Sequence, residues 1–488
     1  APGRQLAAIA ILTALATPLA AQEPTPLATA AALERLLTEA IERAERSVVA
    51  IARVRRDSPP VPPGAVRPPI VPGLPSREPV DPSYVPSEFG TGVVIDPKGL
   101  IVTNFHVVGD HRVADYFVWI RRTPYAARLK AADPWLDLAV LQIEADDLRP
   151  IALGDSRKLK KGQFVISLGN PYAIARDGQP SASWGIVANL DRQAPLPAGS
   201  TRPGEGRETL HHWGTLIQTD CRLELGASGG ALINLQGEMV GLTTALAALA
   251  GYERPGGFAI PVNDDFRRAL NSLKTGRLPD YGFLGVAPQY LTVEERQQGR
   301  QGARVADVVP ATPAAVAGLH TGDLITHLDG EPVADDLDLI RRVSGLVADT
   351  PVTLQVVRDG DRLRRGRTLT MNVTLSKKRL ESSRVPFAEA APPAWRGLTV
   401  EYATAAPLFR ERSRDLESGA CVGVVEVARD SPAWKAGLRP GDFIARVGQM
   451  PVATPRQFFA AVEGLVGEVA VQLAGVPAEK ATRTVPES

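Results

Sequence analysis

Between Leu27 and Ser47 apolar residues recur at helical spacing, Ala32-Leu33, Leu36-Leu37 and Ile41, with alternating charge at Glu34-Arg35 and Glu42-Arg43. A stripe that returns every three to four residues predicts an amphipathic helix, assigned to residues 22–47. It runs into Val48-Val49-Ala50-Ile51-Ala52-Arg53-Val54, an apolar and β-branched string that predicts a first strand. Ahead of the helix, residues 5–21 form a short apolar run behind Arg4, ending in small residues before Gln22-Glu23. Such a run is short for a bilayer span and predicts a secretory signal over residues 1–21, cleaved after Ala21; an uncleaved signal anchor is the alternative. The mature chain is then expected in an extracytoplasmic space, periplasmic or equivalent, and membrane-associated only if the signal stays.

Two stretches break the pattern. From Asp57 to Phe89 about one residue in three is proline, which supports neither a ladder nor a helix interior, so residues 57–89 are predicted as a long exposed loop. A second irregular insertion runs from Arg192 to Glu208, with Pro195, Pro197, Gly199, Pro203, Gly204 and Gly206. Beyond residue 280 the chain repeats itself. Ala317-Gly318-Leu319 followed by Gly322-Asp323-Leu324-Ile325 returns 119 positions later as Ala436-Gly437-Leu438 followed by Gly441-Asp442-Phe443-Ile444, and Thr312-Pro313-Ala314 returns as Ser431-Pro432-Ala433. Self-similarity held in register over that span predicts two copies of one unit, at 280–378 and 395–487. The small and Pro-rich run around Ala390-Ala391-Pro392-Pro393 marks residues 379–394 as the linker between them.

At 488 residues the chain suggests about three domains, at about 150 residues each. Fifty-five Lys and Arg against 54 Asp and Glu leave a net charge of +1, so nothing in the balance asks for nucleic acid or an anionic membrane. Basic clusters such as Arg362-Leu363-Arg364-Arg365 read as solvated strand-edge charge. Cys221 and Cys421 fall in contexts that belong to different cores, so two free and mostly buried thiols are expected. The adjacent pair His211-His212 lacks the spacing of a zinc motif, and no metal site is expected.

The candidate chemistry lies in the first half. Ser228 sits in Gly226-Ala227-Ser228-Gly229-Gly230, His106 in Thr103-Asn104-Phe105-His106-Val107-Val108, and Asp137 in Asp133-Pro134-Trp135-Leu136-Asp137-Leu138-Ala139. His, Asp, Ser is the chain order of a chymotrypsin-like hydrolase. A hydroxyl is a poor nucleophile near neutral pH, so it needs an adjacent base and a third group that fixes the imidazole tautomer. The glycines permit a sharp turn that aims the N–H groups of Gly226 and Ser228 at a developing oxyanion.

The flanking segments carry a family resemblance. Phe89-Gly90-Thr91-Gly92-Val93-Val94-Ile95-Asp96 and Gly99-Leu100-Ile101-Val102-Thr103-Asn104-Phe105-His106, with Leu168-Gly169-Asn170-Pro171, Gly185-Ile186-Val187, Ile217-Gln218-Thr219-Asp220 and Gly257-Phe258-Ala259-Ile260-Pro261-Val262, resemble the HtrA/Deg serine proteases over residues 45–487. The resemblance implies a mainly β chain: a chymotrypsin-like pair of antiparallel six-stranded barrels at 48–275, then two PDZ domains, each β-rich α+β. It implies that Ser228 attacks the scissile carbonyl, His106 is the base and Asp137 orients it, with no cofactor. It further implies that the 57–89 loop reaches a neighbouring subunit, though a plain spacer reads equally well, and that the 192–208 insertion is a sensor loop.

In the first repeat Tyr281-Gly282-Phe283-Leu284-Gly285-Val286 resembles a carboxylate-binding loop, so Phe283, Leu284, Gly285 and Val286 are expected to take peptide C-termini. Trp395-Arg396-Gly397-Leu398-Thr399-Val400 is the weaker counterpart in the second. Departures sit before the serine: Ala227 stands where the family usually has Asn, and Cys221-Arg222-Leu223-Glu224-Leu225 replaces small, aliphatic and amide residues. Arg222, Leu223 and Glu224 are the candidate specificity-pocket residues. Arg222 either enters the pocket, pairs with Glu224 or turns to solvent. The resemblance implies cleavage of unfolded polypeptides after small aliphatic residues and a homotrimer or larger assembly. The functional expectation is an extracytoplasmic endopeptidase for misfolded proteins; the alternatives are a catalytically silent chaperone or scaffold, and a processing protease for one partner.

Overall fold

The computed structural model describes residues 25–56, 88–170, 179–194, 196, 209–244, 257–359, 366–380, 384–416 and 420–487. The expected signal at 1–21, residues 57–87 of the Pro-rich segment, most of the 192–208 insertion and the cluster at 362–365 lie outside the described residues.

Helix α1 (Pro26–Ala44) begins where Thr25 Oγ1 accepts the Ala28 N–H at 3.3 Å and proline takes the first helical position. Ala40 and Ala44 are buried, and Leu37 and Ile41 pack on the same core, as the periodicity requires. The helix ends earlier than the sequence pattern suggests, because Glu45–Ser47 tighten into a 3₁₀ turn before β1 (Val48–Arg55).

The first barrel closes β1 with β2 (Glu88–Asp96), β3 (Leu100–Asn104), β4 (Ala114–Ile120), β5 (Thr123–Asp133) and β6 (Leu138–Gln142), in the order β5-β4-β1-β2-β3-β6, with β5 pairing β6. Val49, Ile51, Val94, Ile101 and Leu141 fill its interior. Glu88 and Phe89, read from sequence as loop, are the first residues of β2. They pair with Arg53 and Ala52 of β1, and the Glu88 carboxylate accepts Arg53 Nε at 2.6 Å. The second barrel closes β7 (Phe164–Gly169), β8 (Ser181–Arg192), β9 (Leu216–Thr219), β10 (Ala231–Ile233), β11 (Met239–Thr244) and β12 (Gly257–Pro261) in the order β10-β11-β12-β9-β8-β7. Helix Asp264–Lys274, capped by Asn263, follows it and buries Phe266, Ala269, Leu270 and Leu273 in the core that the two barrels share.

The two repeats fold alike. Each has a five-strand path in the same order, Val286–Gln289 to Arg367–Thr374 in one and Leu398–Tyr402 to Thr482–Val485 in the other, with helices Asp336–Gly345 and Pro455–Val462. The 119-residue offset survives in single bonds: Val305 N–H donates to the Asp323 carbonyl and Val424 N–H to that of Asp442, both at 2.8 Å. Asp323 and Asp442, the repeated acidic residues, cap their turns by accepting the N–H of His320 and Arg439.

The connection between the two repeats does more than link them. The segment 379–394, read as a linker, contributes strand Phe387–Ala388, which pairs antiparallel with β5 and makes the first barrel's sheet seven-stranded. Two residues show no alternation in sequence, and the partner edge lies some 255 residues upstream, where 387 − 132 = 255. Local pattern therefore misses it.

Candidate active site

Strand β3 delivers His106. Its last residue, Asn104, is fully buried and sends Nδ2 to the Asp137 carbonyl at 3.2 Å, while Phe105 N–H donates to the same oxygen at 3.0 Å. The short helix α2 (Phe105–Val108) then presents the imidazole. Asp137 lies in the turn between β5 and β6 with φ of 53°, fully buried. Its Oδ1 accepts the His106 N–H at 3.0 Å and its Oδ2 faces His106 Nδ1 at 2.8 Å. A carboxylate only accepts, so Nδ1 carries the proton and Nε2 keeps its lone pair. Burial pushes the Asp137 carboxyl up, but the imidazole's charge and hydrogen bond, with Arg384 and His211 adding to them, outweigh it and leave the group below its ordinary value. Nε2 is buried and makes no hydrogen bond with any described residue.

Ser228 is set against the same barrel. Thr91 of β2 donates its N–H to the Ser228 carbonyl at 2.8 Å and its hydroxyl to the Gly226 carbonyl at 2.7 Å, and accepts the Asn170 N–H at 2.8 Å. Thr103, three residues before His106, donates its hydroxyl to the Thr91 carbonyl at 2.7 Å. Gly229 has φ of 83°, and a Cβ there would stand 2.1 Å from the Thr91 carbonyl oxygen, so only glycine lets the turn approach so closely. Ala227 N–H turns inward to the Glu224 carbonyl at 3.0 Å, whereas the Gly226 N–H donates to no acceptor among the described residues. A free Gly226 N–H is what one donor of an oxyanion hole needs. Thr91 and Thr103 were not singled out by sequence. Their only signal is a polar residue held at apolar positions, Thr91 between two glycines.

Of the pocket candidates, Arg222 turns outward. Its side chain is 83% exposed and its Nε meets Glu224 Oε1 at 2.6 Å, so the guanidinium neither fills the pocket nor leaves Glu224 uncompensated. Its backbone N–H donates to Ser183 Oγ at 2.9 Å, Leu223 is half-buried, and Leu225 is exposed. His211 is also structural. Nε2 donates to the Leu136 carbonyl at 2.9 Å and Nδ1 accepts from Thr215 Oγ1 at 2.7 Å. Burial drives it down to about 4, against the opposing pull of that carbonyl and of Asp137, so it is neutral above that pH. Cys221 and Cys421 are both buried and unbridged.

The first PDZ unit holds its loop open. Gly285 has φ of 92° and packs so tightly on Thr312 that a Cβ would stand 2.2 Å from it. Carbonyls of Leu284 and Gly285 are taken by Ala314 and Val309, while their N–H groups donate to nothing among the described residues. Phe283, Leu284 and Val286 line a cleft of about 80 Å³ with Leu339, Val343 and Lys378, the last of which sequence reading did not single out. In the second unit the matching turn keeps the N–H groups of Arg396 and Gly397 without an acceptor among the described residues, but its flanks are tied down. Leu398 N–H donates to the Trp395 carbonyl at 2.8 Å, Trp395 packs on Phe458, and Arg396 is spent on the carbonyls of Gly467, Val485 and Pro486.

Barrels of this topology, meeting at a His–Asp pair and a glycine-framed serine, define a trypsin-like serine peptidase, here with PDZ units behind it. Residues 90–242 match the profile of the trypsin-like peptidase domain, and 282–374 and 423–471 match PDZ domain profiles. The probable periplasmic serine endoprotease DegP-like of Pseudomonas fulva (strain 12-X) is 33% identical over 383 residues, 77% of this chain and 74% of its own length. The periplasmic pH-dependent serine endoprotease DegQ of Escherichia coli (strain K12) is 31% identical over 386 residues, 77% of this chain and 76% of its own. In fold, the chain is similar to the solved HtrA-type protease AlgW with tripeptide, at TM-score 0.51 and 23% identity over 70% of this chain and 97% of that one.

The chain belongs to the HtrA/Deg family and is a serine endopeptidase. Both named relatives are periplasmic, which supports an extracytoplasmic location. No helix among the described residues is long and apolar enough to cross a membrane.

Proposed function

We propose that this endopeptidase degrades misfolded or unfolded polypeptides in the periplasm, with Ser228, His106 and Asp137 as its triad and the first PDZ unit capturing peptide C-termini. The observation that carries the reading is the buried, bond-free Nε2 of His106, whose other nitrogen is fixed by Asp137. With Nδ1–H committed, only Nε2 takes the Ser228 proton as Oγ attacks the scissile carbonyl. The proton then goes to the leaving amine, and water repeats the sequence on the acyl-enzyme. Asp137 stabilises the imidazolium throughout. N–H groups of Gly226 and Ser228 receive the oxyanion, each worth roughly 3 kcal/mol. No step calls for a cofactor.

An outward Arg222 paired with Glu224 leaves the cleft available to the small aliphatic side chains that the resemblance implies. The unpaired N–H groups of Leu284 and Gly285 suit a terminal carboxylate, with the peptide adding a strand beside Val286–Gln289. In the second unit the bridge between Trp395 and Leu398 takes the Leu398 N–H, while those of Arg396 and Gly397 donate to nothing among the described residues. Residues 1–21 serve as the export signal. Family resemblance also implies a homotrimer built through the protease domains, which light scattering on the full chain measures.

The test is proteolysis of unfolded casein beside a folded control. The chain is expected to cleave the unfolded substrate selectively, Ser228→Ala to abolish cleavage, and Asp137→Asn to lower kcat by about 10⁴-fold. Undiminished cleavage by Ser228→Ala refutes the triad. Equal cleavage of folded and unfolded substrates refutes the quality-control role and favours a processing protease.

A further inference from the structure

The turn that carries Asp137 hangs on its backbone hydrogen bonds. The Trp135 carbonyl accepts the Leu210 N–H at 2.8 Å, the Leu136 carbonyl accepts His211 Nε2 at 2.9 Å, and the Asp137 carbonyl takes Phe105 N–H and Asn104 Nδ2. The Trp135 and Leu136 N–H groups both go to the carboxylate of Asp133, the last residue of β5, at 3.1 Å each. That carboxylate is fully buried and caps the turn from within, so the placement of Asp137 depends on how Asp133 is held. Its other donor comes from outside the protease barrels. The Tyr281 hydroxyl, buried with it, donates to Asp133 Oδ2.

Tyr281 is anchored in the first PDZ unit. Its carbonyl accepts the Lys378 N–H and the next residue, Gly282, donates its N–H to the Leu346 carbonyl, both at 2.7 Å, while Gly282 and Phe283 pair with Lys377 and Ser376. The ring meets that of Trp135 edge-on, 6.4 Å between centroids. All three donors that Asp133 has among the described residues are neutral, and two of them belong to the turn itself. Without the hydroxyl, a buried carboxylate would be bonded only to the segment it has to hold, and would lose one of the hydrogen bonds that offset its lost hydration. We propose that Tyr281 is a positioning residue for catalysis: its hydroxyl locks the Asp133 carboxylate on the Trp135 and Leu136 N–H groups, and so fixes the turn that sets Asp137 against His106. The protease domain is then completed in cis by a PDZ residue. Tyr281 touches no substrate and acts through Asp133.

This rests on the triad reading, and the experiment separates the two. Tyr281→Phe, Asp133→Asn and the double variant are made in the full chain and assayed on a short peptide substrate near neutral pH. Active sites are titrated in each, with Ser228→Ala as the control for the triad. Tyr402→Phe, which removes a hydroxyl that joins the two PDZ units through Asp349, controls for loosened docking in general. Tyr281→Phe is expected to lower kcat per titrated site about fivefold with KM changed less than twofold, since misplacement of a catalytic group acts on turnover. In the Asp133→Asn background the same deletion should cost less than about twofold, because the carboxylate through which the hydroxyl acts is gone. The low-field proton resonance of the His106 Nδ1–H should move in Tyr281→Phe and stay in place in Tyr402→Phe. An unchanged kcat per site in Tyr281→Phe overturns the proposal whatever the resonance does. So does a loss confined to the number of titratable sites, an equal loss with Asp133 already replaced, or an equal loss in Tyr402→Phe. Activity surviving in Ser228→Ala instead overturns the triad reading beneath it.

Discussion

At the scale of single residues, three side chains announce themselves by their flanks and the ones that hold them do not. His106, Asp137 and Ser228 can be proposed from sequence because the glycine turn, the Thr-Asn before the histidine and the Asp-Pro before the aspartate each make a local pattern. Thr91 has no such pattern, yet one hydroxyl donates to the Gly226 carbonyl and accepts from Asn170 in a fully buried site. Thr91→Val keeps the shape and strands both partners. Unsatisfied buried groups cost about 1–3 kcal/mol each. The variant is expected to lose about that much stability in denaturant unfolding and to show a lower kcat, while Thr91→Ser stays close to the parent. A Thr91→Val chain with unchanged midpoint and turnover would mean that the stitch is incidental. Arg222 shows the opposite limit: its sequence position left three orientations open, and its exposure with Glu224 beside it decided among them.

At the scale of elements, strands with long apolar runs and the repeated PDZ turns were readable, because periodicity and a 119-residue offset are properties of the chain itself. What was not readable is how elements from different domains lean on one another. The turn that carries Asp137 is held by Asp133, which accepts the N–H groups of Trp135 and Leu136 at 3.1 Å and the hydroxyl of Tyr281, the residue that opens the first PDZ unit. Burial raises Asp133 to about 6, and the hydrogen bonds from Tyr281, Trp135 and Leu136 offset only part of that. An acid raised from 3.8 binds its proton more tightly folded than unfolded. Its contribution to stability is therefore full below pH 3.8 and lost as pH rises to about 6. The stability difference between the parent and Asp133→Asn should fall through that window by up to about 3 kcal/mol. Denaturant titrations at pH 3.5, 5 and 7, taken as about-even steps, read it out. A difference that stays flat or rises would show that Asp133 titrates normally.

At the scale of the whole molecule, the PDZ units are docked and not merely tethered. Arg341 donates to the Gly214 carbonyl at 2.8 Å, Lys378 Nζ lies 4.7 Å from the centre of the Trp135 ring, and Lys377 bridges Asp280 and Glu401. Tyr402 donates its hydroxyl to Asp349 at 2.8 Å, tying the two units together. Long-range contacts of this kind join residues whose neighbourhoods in sequence are unremarkable, which is why domain count was legible and domain assembly was not. The proposed mechanism turns on one serine, Ser228, activated by one imidazole, His106. The most direct measurement is labelling with an active-site fluorophosphonate, mapped by mass spectrometry on the full chain. The account predicts one adduct per chain, on Ser228, that disappears in His106→Ala and in Ser228→Ala. An adduct at any other serine, or undiminished labelling of Ser228 without His106, would contradict it.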